Sequence, residues 1–160
     1  MVRLEKINAK NIWKIVNLHV NKEQEEFVAT NAQSLCEAYL TLSVNGRVFP
    51  FGIFEGDTPV GFVMIGYGVD ETYEEPPAIA FGNYSIWRFM IDERYQRRGF
   101  GRAALALALD FIRSFPCGGA DCCYLSYEPE NVNAARLYRS FGFEENGAWD
   151  GDEKIAVLKL

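Results

Sequence analysis

The segment Gln96-Arg97-Arg98-Gly99-Phe100-Gly101-Arg102-Ala103 constrains this chain more than any other stretch. Before it, Tyr84 to Ile91 is apolar with only Arg88 charged, the pattern of a central strand buried on both faces. After it, Ala103, Ala104, Leu105, Leu107, Ala108 and Leu109 open a strongly helical run, which Pro116 and Gly118-Gly119 stop. Glycines between a strand and a helix let the backbone approach a ligand closely and turn successive N–H groups outward. The helix adds its positive N-terminal end, and Arg97, Arg98 and Arg102 add charge, so the turn suits a pyrophosphate. A bare G-x-G turn with solvated arginines is the plainer alternative; strand, basic turn and helix together favour phosphate. The turn is not a Walker loop, because no Gly-Lys-Ser/Thr follows, and Ala104 stands where a dinucleotide fingerprint has its third glycine.

The rest of the chain supplies the sheet around this unit. Val2, Leu4 and Ile7 predict a short first strand. Ile12, Ile15, Val16 and His19 predict a helix capped by Asn8, and Leu35, Ala38, Tyr39 and Leu42 a second one ending at Asn45-Gly46. Val48–Phe54 and Val60–Tyr67 read as a hairpin around the turn residues Glu55 to Pro59, with a loop over 68–83. Cys122–Tyr127 reads as a strand, Asn133–Ser140 as a short helix closed by Gly142, and Phe143 to Leu160 as a last hairpin. That order predicts one α/β domain over residues 1–160 with a mixed sheet.

A net charge of −6 argues against nucleic acid, whose binders carry a basic face, and permits a cationic substrate. No apolar run is long enough for a membrane helix, and residues 1–6 lack a secretory pattern, which points to the cytoplasm and to no membrane partner. Cys36, Cys117, Cys122 and Cys123 form no CxxC pair. With His19 the only histidine they offer no zinc-ligand spacing, so they read as buried thiols and no metal is expected.

A second motif, Asn131-Val132-Asn133-Ala134-Ala135-Arg136-Leu137-Tyr138-Arg139-Ser140-Phe141-Gly142-Phe143, follows the basic turn. Taken alone, Leu137, Phe141 and Phe143 would be core and Tyr138 an amphipathic filler. The pair Q-x-x-G-x-G and N-x-x-A-x-x-L-Y-x-x-x-G-F resembles the GNAT superfamily of acetyltransferases, most firmly over residues 48 to 145. Glu26 to Tyr39 and Ile86 to Asp92 are similar to bacterial spermine/spermidine acetyltransferases.

The resemblance implies a mixed, mostly antiparallel sheet of six to seven strands flanked by helices, with a splayed parallel central pair. It also implies acetyl transfer from acetyl-CoA directly to an amine in a ternary complex. On that basis backbone groups near Phe89, Met90 and Ile91 bond the pantetheine arm, and Arg97, Arg98, Gly99, Phe100, Gly101 and Arg102 hold the pyrophosphate. Asn131 touches the pantetheine region, and Tyr138 protonates the departing thiolate. A thiol pKa of about 8.5 makes that protonation undemanding, whereas a primary amine of pKa about 10.4 must lose a proton first. Where animal polyamine acetyltransferases carry a central-strand glutamate, this chain has Trp87 and Arg88, so the base is unassigned, with Glu37, Glu55, Glu74 and Glu75 as candidates acting through water.

The same four glutamates are the candidate contacts for a polycationic amine. Glu23, Glu25, Glu26 and Glu37 could form one wall, and Asp70, Glu71, Tyr73, Glu74 and Glu75 another; each run also fits a solvated face. The polyamine reading stands beside two alternatives, another amine such as an aminoglycoside or a protein N-terminus, and a non-catalytic acyl-CoA-binding module. Relatives of this kind often form dimers, so a homodimer is a further expectation.

Overall fold

Turn residues and strand registers decide where this chain opens. The computed structural model describes residues 1–160. Its strands are β1 (Val2–Lys6), β2 (Arg47–Glu55), β3 (Thr58–Tyr67), β4 (Tyr84–Ile91), β5 (Cys122–Tyr127), β6 (Glu144–Asp150) and β7 (Glu153–Lys159). Its helices are α1 (Ile12–Val16), α2 (Asn31–Ser43), α3 (Phe100–Arg113) and α4 (Val132–Ser140). The seven strands form one sheet in the order β1-β2-β3-β4-β5-β7-β6. All neighbours are antiparallel except β4 and β5.

That one parallel pair is short. β4 pairs with β3 from Tyr84 to Ile91, and β5 pairs with β7 from Cys122 to Tyr127. Between themselves β4 and β5 pair only at Tyr84↔Cys123 and Ser85↔Tyr124. Beyond Ser85 they diverge, at the point where β4 bulges: Met64 pairs with Arg88 and Ile65 with Ile86, which leaves Trp87 as the extra residue. The edges facing the gap therefore carry backbone groups without a ladder partner.

Helices cover both faces. α3 buries Ala104, Leu105, Ala108, Leu109 and Ile112 against Phe51, Val63, Ile86 and Leu125. Small and large residues alternate along that stripe, and full burial of each leucine or isoleucine contributes about 1.5–3 kcal/mol. On the other face Ile15 of α1 and Ala38 of α2 pack with Phe62, Met64 and Met90.

Three local expectations change. Asn11, not Asn8, begins α1; it is buried, accepts from Asn8 N at 2.8 Å, and donates to Glu5 Oε1 at 2.9 Å, tying the helix to β1. The helix ends at Val16, before His19, because the chain turns there and His19 N donates to Asp92 Oδ2 at 3.1 Å. On α2 the inward face is Asn31, Ser34, Ala38 and Thr41, while Tyr39 and Leu42 are exposed. The helix lies close to the sheet, so small residues face inward, and the polar Asn31 satisfies its amide by donating to Ile15 O at 2.9 Å.

β4 differs too. Tyr84, Ile86 and Met90 are buried, but Ser85, Trp87, Arg88, Phe89 and Ile91 keep partial exposure, because the diverging β5 leaves one edge of the strand open.

Candidate active site

The divergence of β4 and β5 opens a cavity of about 760 Å³ that reaches both faces of the sheet. Phe89, Met90 and Ile91 line it, as do Arg97, Gly101, Asn131 and Tyr138, so most of the expected coenzyme-side residues meet there.

The basic turn is built from its anchor outward. Asp92 is fully buried at the end of β4, where its carboxylate accepts from Arg94 Nε at 2.7 Å, Arg94 Nη2 at 3.1 Å, Arg94 N at 3.1 Å and His19 N at 3.1 Å. Burial alone would raise its carboxyl; the bonds from Arg94 and His19 outweigh that and hold it below the usual range. Gln96 Nε2 donates to Ile91 O at 3.0 Å and to Gln24 Oε1 at 2.7 Å, joining the turn to β4 and to the α1–α2 loop. Arg97 (φ 61°) and Gly99 (φ 82°) then adopt left-handed conformations and aim the chain into α3, with Gly99 as its N-cap. The first intrahelical bond runs from Ala103 N to Gly99 O at 3.1 Å, so the N–H groups of Phe100, Gly101 and Arg102 are left for an anion.

The arginines divide their duties. Arg97 lines the cavity. The Arg98 guanidinium lies 5.7 Å from the Tyr95 ring. Arg102 Nη1 donates to Ser140 Oγ at 3.1 Å over the Phe141 ring, which ties α3 to α4.

Tyr138 is buried on α4, its ring centroid 5.9 Å from Tyr127, 6.0 Å from Phe143 and 6.5 Å from Phe89. Burial, then the charge of Glu153, pushes its phenol above the ordinary value, so it keeps its proton at neutral pH. The neighbouring Tyr127 donates to Glu145 Oε1 at 2.7 Å, and burial with that bond pushes its phenol to about 12. Asn131 lines the cavity and caps α4, accepting from Ala134 N at 3.4 Å.

The cavity lining also carries a cluster of acids, and most of that acid comes from places the sequence did not single out. Glu128 follows β5 and Glu153 begins β7; the register Tyr127↔Lys154 and Ser126↔Ile155 sets them beside each other. Ser126 Oγ donates to Glu153 Oε2. Asp150, at the end of β6, accepts from Tyr73 OH at 3.2 Å. Burial, opposed by a backbone hydrogen bond and reinforced by Glu153, raises the Glu128 carboxyl above the usual range, and its buried Oε2 has no hydrogen-bond donor.

The glutamates expected from the sequence are scattered. Glu37 sits on α2 behind Arg88, accepting from Arg88 Nη2 at 2.8 Å. Glu55 ends β2 and pairs with the Met1 amino group at 2.7 Å, outside the cavity wall. Glu74 and Glu75 are exposed on the β3–β4 loop and do not line the cavity, although Asp70 and Tyr73 of that loop do. From the other expected wall Glu23 and Glu26 reach the cavity. Glu128, Asp150 and Glu153 were missed because a strand pairing, not a local pattern, gathers them; pairing the last hairpin with Cys122–Tyr127 on paper would have found two of them.

A splayed parallel pair, an anion-ready turn and a buried tyrosine at the same opening define an acyl-transfer architecture. The sequence profile of the Acetyltransferase (GNAT) family matches residues 12–143, and the chain belongs to that family. It is 33% identical, over 99% of both chains, to the spermine/spermidine N(1)-acetyltransferase of Bacillus subtilis (strain 168). Among solved structures, the aminoglycoside acetyltransferase AAC(6')-Ib in complex with coenzyme A superposes with a TM-score of 0.76 at 17% identity, covering 99% of this chain and 95% of that one. The PaiA N-acetyltransferase of Thermoplasma acidophilum, in complex with coenzyme A, gives 0.68 at 15% identity, covering 100% and 99%. At those identities the structures speak to the fold alone. No helix is long and apolar enough to cross a membrane, and no group of His, Cys, Asp and Glu is arranged to hold a metal.

Proposed function

We propose that this chain transfers acetyl from acetyl-CoA to a primary amine of a polyamine, spermine or spermidine, by direct attack in a ternary complex. The observation that carries this reading is the carboxylates of Glu128, Glu153, Asp150 and Asp70 lining the same cavity as Tyr138. Similarity along nearly the whole chain to a spermine/spermidine acetyltransferase supports it.

The division of labour follows from charge and position. The free N–H groups at the start of α3, with Arg97, Arg98 and Arg102 around them, hold the pyrophosphate. The open edge of β4 at Phe89 to Ile91 bonds the pantetheine amides and meets the charge that develops on the thioester oxygen. Tyr138 gives its proton to the departing thiolate; a phenol suits this because it stays protonated at neutral pH. The acidic wall holds the ammonium groups, and Phe27, Val28 and Trp87 offer an apolar path for the methylenes between them.

Thiol release from acetyl-CoA with a panel of amines tests the reading. Spermine and spermidine should show lower KM than a monoamine of similar length, and the preference should shrink as salt rises. Equal KM values at low salt would remove the polyamine assignment and leave acetyl transfer standing.

A further inference from the structure

An ammonium bound in the acidic wall cannot attack until it loses a proton. The central strand supplies no carboxylate to accept that proton, because Trp87 and Arg88 occupy its open stretch. The four glutamates named from the sequence as candidate bases do not border the cavity either. Glu37 is held by Arg88 and Glu55 by the amino terminus, while Glu74 and Glu75 point from an exposed loop.

We propose that Glu128 is the general base of this enzyme, with Glu153 as the residue that poises it. The proposal rests on the acetyl-transfer reading above and names a residue within that same site.

Geometry carries it. Glu128 stands where β5 ends, on the cavity wall it shares with Tyr138, so an amine held there can face both the base and the acid. Its Oε2 is buried without a donor. A buried carboxylate oxygen left unpaired costs stability, and at a reaction centre the missing donor is the substrate N–H. Glu153 is fixed by Ser126 Oγ and lies within hydrogen-bonding reach of Glu128, so the two carboxyls can share a proton when no amine is bound.

The charges around Glu128 agree with that role. Glu153 from β7 and Glu130 from the β5–α4 loop disfavour its ionised form; Asp150 from β6 and Arg88 on β4 line the same cavity, Arg88 being engaged by Glu37, and Tyr138 on α4 stays neutral. The Glu128 carboxyl is raised by burial first and by Glu153 after it, which moves a carboxylate toward the basicity useful at neutral pH.

The step balances. Glu128 takes one N–H proton from the bound ammonium. The freed lone pair attacks the acetyl carbon, the C–N bond forms as the C–S bond breaks, and sulfur takes the Tyr138 proton. The second N–H proton, lost as the amide forms, restores the phenol, and Glu128 returns its proton to solvent.

Thiol release with spermidine across pH, on Glu128→Gln, Glu128→Ala and Glu153→Gln, tests it, with coenzyme A affinity by calorimetry alongside. Glu128→Gln should lower kcat at neutral pH by about 10²- to 10⁴-fold, the range of general-base contributions, with coenzyme A affinity unchanged. Its residual rate should climb about tenfold per pH unit toward the amine's own pKa, because solution must then deprotonate the amine. In the parent, kcat/KM should fall as pH drops through the Glu128 pKa; Glu153→Gln removes the repelling charge and should move that limb to lower pH. A Glu128→Gln enzyme with the parent's kcat and pH profile, or with only KM raised, would overturn the assignment. So would an unmoved limb in Glu153→Gln, which can be read even where the Glu128 variants fold poorly. A parent enzyme that releases no thiol with any amine would instead remove the acetyl-transfer reading, and this proposal with it.

Discussion

Arg88 Nη2 donates to Glu37 Oε2 at 2.8 Å, and this pair links the open stretch of β4 to the middle of α2. Both side chains are mostly buried, at 20% and 29% exposure, so water screens the bond little. Arg88 borders the cavity, and its Nε is buried without a partner. Glu37 thus cancels a positive charge that would otherwise repel the cationic acceptor proposed above.

Glu37→Gln should uncover that charge. The KM for spermidine should rise on the order of tenfold, about 1.4 kcal/mol, with kcat changed less. Removing the arginine as well, in Glu37→Gln with Arg88→Gln, should recover most of the loss, a coupling that a double-mutant cycle measures. Additive effects of the two changes would mean that Glu37 acts on the substrate directly and not through Arg88.

At the basic turn two glycines should fail for different reasons. Gly99 sits at φ 82° with open space where a Cβ would stand, so Gly99→Ala meets backbone strain of about 1–2 kcal/mol and should lower Tm. A Cβ at Gly101 would lie 3.6 Å from Ile91 Cγ1 and 3.8 Å from Leu137 Cδ2, which are ordinary contacts. Gly101→Ala should therefore fold, whereas Gly101→Asp brings a negative charge to the proposed coenzyme side of the cavity and should abolish coenzyme A binding with little change in Tm. Calorimetry showing parent-like affinity in Gly101→Asp would put the pyrophosphate elsewhere.

Tyr138→Phe keeps the packing against Phe89, Tyr127 and Phe143 and removes only the hydroxyl. Turnover should fall about ten- to ten-thousand-fold while KM for acetyl-CoA stays near the parent's, the signature of a group that acts in the transition state. Pre-steady-state thiol release reads the chemical step itself; an unchanged burst rate would end the acid assignment.

Asp92 makes a pH prediction. Its folded-state pKa is depressed, so its contribution to stability is fully present above the unfolded value of about 3.9 and is lost as pH falls through the lower folded value. Acid unfolding followed by circular dichroism should show that component in the parent, and Asp92→Asn should be less stable at neutral pH but flatter across the acid window. An identical slope in both proteins would assign the acid sensitivity to other carboxylates.

Local sequence determined a great deal here. The short run Cys122–Tyr127 was read as a strand and matches β5 to the residue, and the Ala/Leu run marked α3, because backbone propensity and a one-sided apolar stripe act over neighbouring positions. The glycine turn was legible for the same reason, since a glycine adopts the left-handed conformation seen at Gly99 without steric penalty. Of the two motifs that resemble the family's, the first is the basic turn that opens α3 and the second lies on α4, another locally determined element.

Tertiary structure decided the rest. Tyr39 and Leu42 looked inward by spacing, yet the close approach of α2 to the sheet admits Ser34, Ala38 and Thr41 and turns the larger residues out. Glu128 and Glu153 are strangers in sequence and neighbours in space, because β5 pairs with β7 and not with the strand that follows it. Glu55 went the other way, drawn to the amino terminus at the far end of β2. Periodicity reports which face of an element is apolar; it carries no information on the register between strands distant in the chain, and that register assembles the acidic wall.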